Sequence, residues 1–418
     1  MSTAAAQVAQ GVVGRLRVLL SAYSCEPGRG SEPEVGLRVL LAAAERHEVW
    51  VLTTTICAPG LLRFLEEHPL GRRVHVEPIP LGVDERKLGL ITFPLYYEQW
   101  QRRAMWRALE LDRVVDFDIV HHATMSTIWT RVGIAAVAKP LVWGPVGGVV
   151  EPPLRLLGQL GIRGLLDDGF RVASRRILAQ LPPMRVAPAR ATVILAQNSH
   201  VVRRLRTTAP ITVLPNATAV NLNGVRSGGP RTKEILLVGR IVAWKGGRLA
   251  LQALRHVTDP DAVLRFYGEG PDRHRLERTA RRWGLADRVR FETWIRRDSL
   301  LPKVASAGVL LHPSFHDDAP LCVAEALSLG TPVVCLDHGG PAEVVRRWPA
   351  SPARLVKADG AEATAYRMAE AIDAFLADPP PVVAEPLRPD VSFSGVVLDA
   401  YEEAAQRSAA SHDRRRGL

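Results

Sequence analysis

Short apolar runs alternate with helical stretches along most of this chain, and that alternation constrains the fold more than any other feature. Residues 16–21 read as a first strand, 26–31 as a Pro/Gly-rich loop, 34–46 as a helix and 47–53 as the next strand. A unit of this kind puts its loop at the carboxyl end of a strand, where open α/β sheets hold ligands. Residues 119–121, 141–143 and 192–196 continue the series. A polar, Gly-rich stretch at 221–232 interrupts it, and Glu234–Val238 opens a second series with strands predicted at Val263–Tyr267, 289–291, 309–311 and 332–336. Two runs of alternating strands and helices predict two parallel-sheet domains. The length of 418 residues agrees, at roughly 100–200 residues per domain. The residues place the domains at 15–215 and 216–390, with a last helix at 391–407 and a disordered tail from Ser408.

The formal charge of +11 favours phosphate-bearing partners. No segment concentrates basic residues with interleaved aromatics, which argues against nucleic acid. Cys25, Cys57, Cys322 and Cys335 lie far apart with no C-x-x-C pair, so neither a zinc site nor a disulfide framework is expected. A reducing, cytoplasmic setting follows, and no apolar run reaches the ~18 residues a membrane span needs. Two stretches mix apolar residues with arginine: 94–111, with Tyr96, Tyr97, Trp100, Trp106 and Arg102, Arg103, Arg107; and 154–180, with Leu157, Leu165, Arg163, Arg171, Arg175 and Arg176. The simpler reading is core-facing packing with a solvated basic face. The other is peripheral contact with an anionic membrane at its inner face.

The strongest chemical signal runs from His316 to Val345. Asp318 suits an N-cap, Pro320 the first helical turn, and Gly330 a helix end. The amides of Ala319, Pro320 and Leu321 mark a helix N-terminus, proline contributing only its backbone position, and such an end attracts phosphate or sugar oxygens. Asp317 precedes that helix and Glu325 lies within it, so two carboxylates eight residues apart are available to grip hydroxyl groups. A second signal, LVGRIVAWKGG, carries Arg240 and Lys245. YGEGP, with Glu269, reads as a Gly turn, and RFETWI supplies Trp294 and Ile295. In the first half, GRGSEPEVG places Gly28, Gly30 and Ser31 after the first strand, where small residues allow close backbone approach. DIVHHAT places His121 and His122 at a strand end.

These segments resemble those of the retaining glycosyltransferases of family 4, within the subgroup that has a GRGSE loop and a WGPVGG segment, here at 143–148. The resemblance covers about residues 16–405. It implies a GT-B fold, an α/β architecture of two Rossmann-like domains facing a central cleft. It implies transfer of a hexose from a nucleoside diphosphate sugar, a UDP-sugar by default, to a saccharide, lipid-linked or small-molecule hydroxyl, with retention and without a metal or other cofactor. The first acid is Asp317 where the family pattern has Glu. The resemblance maps Arg240 and Lys245 onto the donor diphosphate, Asp317 and the 319–321 amides onto the sugar and Glu325 onto the ribose. It maps His121 or His122, with preference for His122, near sugar and acceptor, and Trp294 and Ile295 near the base. Paired histidines in a strand otherwise suggest one core residue and one exposed one. An inactive sugar-nucleotide-binding subunit and a sugar-nucleotide epimerase are the alternatives. Asp116-Phe117-Asp118 is a D-x-D, but it leads into a buried strand rather than out of one.

Overall fold

The computed structural model describes residues 14–28, 31–81, 93–220, 222, 224–225, 230–381 and 386–416. Their strands form two wholly parallel sheets, each belonging to its own compact unit.

The first unit holds β1 (Arg17–Ser21), β2 (Glu48–Thr54), β3 (Val74–Ile79), β4 (Ile119–His122), β5 (Leu141–Val146), β6 (Ala191–Ala196) and β7 (Ile211–Val213). They lie in the order β3-β2-β1-β4-β5-β6-β7. Side chains alternate across the central strands, as the pleat requires. Val18, Leu20 and Ile119 enter one core with the helices Ser31–Ala44 and Phe393–Arg416; Leu19 and Val120 enter another with Trp100 of the helix Phe93–Val115. Both faces are covered, so the strands are continuous apolar runs.

The second unit holds β8 (Glu234–Val238), β9 (Val263–Tyr267), β10 (Val289–Glu292), β11 (Val309–His312), β12 (Val333–Leu336) and β13 (Ala353–Val356), in the order β10-β9-β8-β11-β12-β13. Leu156 and Leu160 pack into its core with Leu249, Phe266 and Phe315. For this reason the second unit comprises Val150–Ser174 with Val220–Asp390, and the first takes Met1–Val149, Arg175–Ala219 and Val391–Leu418. A single division at 215/216 therefore omits one exchange of chain, 150–174.

The structure corrects two sequence expectations. The tail from Ser408 is not disordered over its described part: the last helix runs from Phe393 to Arg416. Its Ser408-Ala409-Ala410 segment contains alanines, which favour helix. The two arginine-rich stretches also differ from each other. Phe93–Val115 buries Tyr97, Trp100, Ala104, Ala108 and Leu111, whereas Gly161–Leu178 buries only Asp168.

Candidate functional site

In both sheets the chain reverses its direction of winding once, between β1 and β4 and between β8 and β11. Loops leaving adjacent strands at such a point diverge and open a ligand crevice. In the second unit, Arg240 and Lys245 follow β8, while His312 ends β11 and Asp317 follows it.

The loop after β8 turns at Gly246, whose φ of +75° lies in the left-handed region. A Cβ there would sit 2.2 Å from the Pro313 carbonyl oxygen, so glycine is required for the two loops to meet. Phe315 N–H donates to the Trp244 carbonyl at 2.9 Å, and Trp244 stacks on His316 at 4.3 Å between ring centroids. These contacts bring Lys245 Nζ to 2.6 Å from Asp317 Oδ2. His312 Nε2 reaches the same oxygen at 2.7 Å. Gly340 N–H donates to the Asp317 carbonyl at 2.8 Å, and a Cβ on Gly340 would collide with the Asp318 backbone.

Burial favours a neutral Asp317, but the Lys245 ammonium and His312 override it and hold the carboxyl well below the usual carboxylate range. Burial likewise pulls the His312 pKa down. The Cys322 sulfur, 3.7 Å from Nδ1, and the Asp317 carboxylate outweigh that and raise it to about 9. The Asp317 carboxylate therefore lies between the Lys245 ammonium and the His312 ring, both on one oxygen. The Arg240 side chain, in the same loop as Lys245, is exposed and makes no ion pair among the described residues.

Glu325 is buried at 3% exposure, and its Oε1 lies 2.5 Å from Arg297 Nε. The helix Leu321–Ser328 starts one residue after Pro320, which holds the N-cap position. Asp318 is thus not the N-cap expected from sequence, and Pro320 is not in the first turn: the contacts of Phe315 and Gly340 fix the loop so that the helix starts later. The Pro320 side chain makes no capping hydrogen bond. At its other end Gly330 N–H donates to Leu327 and Thr331 N–H to Ala326, the double bond of a Schellman motif. Ala319 and Leu321 are half-buried, Glu269 and Trp294 are exposed, and Ile295 is half-buried.

In the first unit neither histidine of β4 is exposed, which corrects the expectation of one buried and one open. His121 Nε2–H donates to the Gly144 carbonyl at 2.8 Å, and its Nδ1 accepts from the Tyr401 hydroxyl at 2.7 Å. His122, on the opposite face, has Ser21 Oγ 3.2 Å from Nδ1 and the Tyr97 hydroxyl 3.5 Å from Nε2. Burial lowers their pKa values to about 4 and about 3. Gly28 is exposed with a φ of +74°. Gly30 and the Ser31 side chain lie outside the described residues. Asp116 pairs with Lys139, and Asp118 accepts from the Arg17 backbone N–H at 2.8 Å, so the D-x-D segment ties the start of β1 to its neighbours.

His312 and Arg297 went unread in the sequence. His312 ends a buried run, VLLH, five residues before Asp317, which is a signal in hindsight. Arg297 stands 28 residues from Glu325 and gave none.

Residues 227–386 match the family model of glycosyl transferases group 1. This part of the chain is a glycosyltransferase domain. It is similar to a 2-deoxystreptamine glucosyltransferase of Streptomyces kanamyceticus, 34% identical over 162 residues, 38% of this chain and 40% of that protein. The alignment thus spans two fifths of the relative. A 2-deoxystreptamine N-acetyl-D-glucosaminyltransferase of Streptomyces fradiae is 27% identical over 330 residues, 74% of this chain and 75% of that one. Among solved structures, Anabaena Alr3699/HepE in complex with UDP superposes with a TM-score of 0.54 at 15% identity, covering 95% of each chain. Sucrose-phosphate synthase from Thermosynechococcus elongatus gives a TM-score of 0.56 at 16% identity, covering 96% of this chain and 98% of that one. The two Rossmann-like units have the GT-B fold.

Proposed function

We propose that the whole chain transfers a glycosyl group from a nucleoside diphosphate sugar to an acceptor hydroxyl. The observation that carries this reading is the Lys245–Asp317–His312 cluster at the switch point of a glycosyl transferases group 1 domain. As the glycosidic bond breaks, the departing diphosphate gains negative charge. Lys245 and Arg240 stabilise it there, while His312 stays behind as the countercharge of Asp317. Asp317 and the backbone at Ala319–Leu321 orient the sugar, and Glu325, set by Arg297, holds the ribose. Transfer proceeds on the front face with retention, the leaving phosphate oxygen accepting the acceptor proton. The cationic cluster provides the charge neutralisation that a metal would otherwise supply, so the reaction is metal-independent. A donor with a UDP leaving group is favoured, in line with the UDP complex of the Anabaena neighbour.

A thermal-shift series with UDP, GDP, ADP and TDP, each with and without EDTA, tests this directly. A ligand bound by the native state stabilises it by mass action. UDP is expected to raise Tm, by an amount EDTA leaves unchanged. No rise with any nucleotide would favour an inactive subunit or a different donor.

Among the described residues no helix is long and apolar enough to cross a membrane. The helix Gly161–Leu178 nevertheless exposes Ile162, Leu166, Phe170 and Ile177 at helical spacing, with Arg163 beside them, and this supports peripheral contact with an anionic bilayer. Flotation with vesicles containing phosphatidylglycerol, weakened by raised salt, is the expected result; the same recovery with neutral vesicles would remove the electrostatic part.

A further inference from the structure

A second place in the first unit combines features that the donor reading does not use. A pocket of about 510 Å³ is walled by Arg185, Arg204 and Arg206, with Ile128, Pro188 and Leu205 supplying apolar surface. No carboxylate lines it. Among the described residues none of the three arginines makes an ion pair or a side-chain hydrogen bond. Elsewhere in the same unit arginines are held by acids: Arg17 by Asp118, Arg107 by Glu77, Arg131 by Glu98. Close in sequence to the lining positions, Leu178, Leu181, Val186 and Val202 are apolar and 37–41% accessible.

We propose that this pocket binds the phosphate end of a single long-chain lipid phosphate. Three guanidinium groups without a counter-ion offer forked donors that match phosphate oxygens in pairs. The apolar side chains that line the pocket, Ile128, Pro188 and Leu205, meet the first carbons of the chain, which a free inorganic anion does not have. A polycationic acceptor, such as an aminocyclitol, finds no carboxylate here and meets like charge instead. Phosphate charge and hydrocarbon on one molecule satisfy both halves of the site.

Equilibrium binding to the full chain tests this without reference to transfer activity, so its outcome is separate from that of the donor reading. The probes are farnesyl phosphate below its micellar concentration, farnesol and inorganic pyrophosphate. Farnesyl phosphate is expected to bind at least ~10-fold more tightly than either of the others. Arg204→Glu/Arg206→Glu is expected to weaken it a further ~10-fold or more, as is Arg185→Glu. All three side chains are exposed and unpaired, so these variants should retain the wild-type Tm. Equal binding of pyrophosphate would reduce the pocket to a simple anion site and overturn the proposal. So would binding unchanged by the substitutions, or capture by vesicles with no binding of the monomeric lipid phosphate.

Discussion

Lys245→Ala should lower kcat by ~100-fold or more while the protein stays folded. The size follows from what the ammonium does: it is one of two cations available to a leaving group that gains charge only as the bond breaks. The intact fold follows from His312. Removing one partner of a buried ion pair normally leaves an uncompensated charge and costs ~3–5 kcal/mol. Here the Asp317 carboxylate keeps the imidazolium at 2.7 Å, so it is not stranded. Steady-state rates with UDP-glucose, beside the Tm of the same preparation, make the comparison. Near-normal turnover would take Lys245 out of leaving-group stabilisation.

Mild acid should unfold the first unit. His121 and His122 are wholly buried, with pKa values lowered to about 4 and about 3, chiefly by burial; proximity to His121 lowers His122 further. In the unfolded chain both titrate near 6.5. Folded pKa values below the unfolded ones mean that the unfolded state binds more protons as pH falls. The stabilisation is therefore present above about pH 6.5 and is lost as pH falls toward the folded values. By pH 4 the loss is on the order of 3 kcal/mol for each histidine. Urea midpoints between pH 7 and pH 4 should fall steeply, and His121→Gln with His122→Asn should flatten the slope whatever they do to stability at pH 7. An unchanged slope would mean that neither histidine is the proton acceptor.

The sheets were legible where strands are buried on both faces. Glu234–Val238 and Val263–Tyr267 were read with their exact ends, and most of the others, the edge strand β10 among them, within a few residues. The strands that escaped, β3, β7 and β13, all lie at sheet edges. An edge strand is covered less completely, so it lacks the continuous apolar run: β3 reads VHVEPI and buries only Ile79. The same physics limited the site. Arg240, Lys245, Asp317 and Glu325 stand in local segments with glycine and helix signals around them, and the fold brings Lys245 onto Asp317. The partners that set their charge, His312 and Arg297, reach them through tertiary packing, which no local spacing records. The exposed apolar face of Gly161–Leu178 was read as core-facing because periodicity reveals that a face is apolar but not what covers it.

The helix Phe393–Arg416 packs on the first unit and supplies Tyr401 to His121, although that unit begins before the second one in the chain. During synthesis the ribosome therefore delivers every residue of the second unit before the helix that completes the first. The earlier-made sheet must wait, with the face formed by Val18, Leu20 and Ile119 lacking one of its helices, for the time needed to translate the whole sugar-transfer domain. A nascent chain of this design offers chaperones an unfinished amino-terminal layer beside a finished neighbour, the reverse of simple amino-to-carboxyl folding.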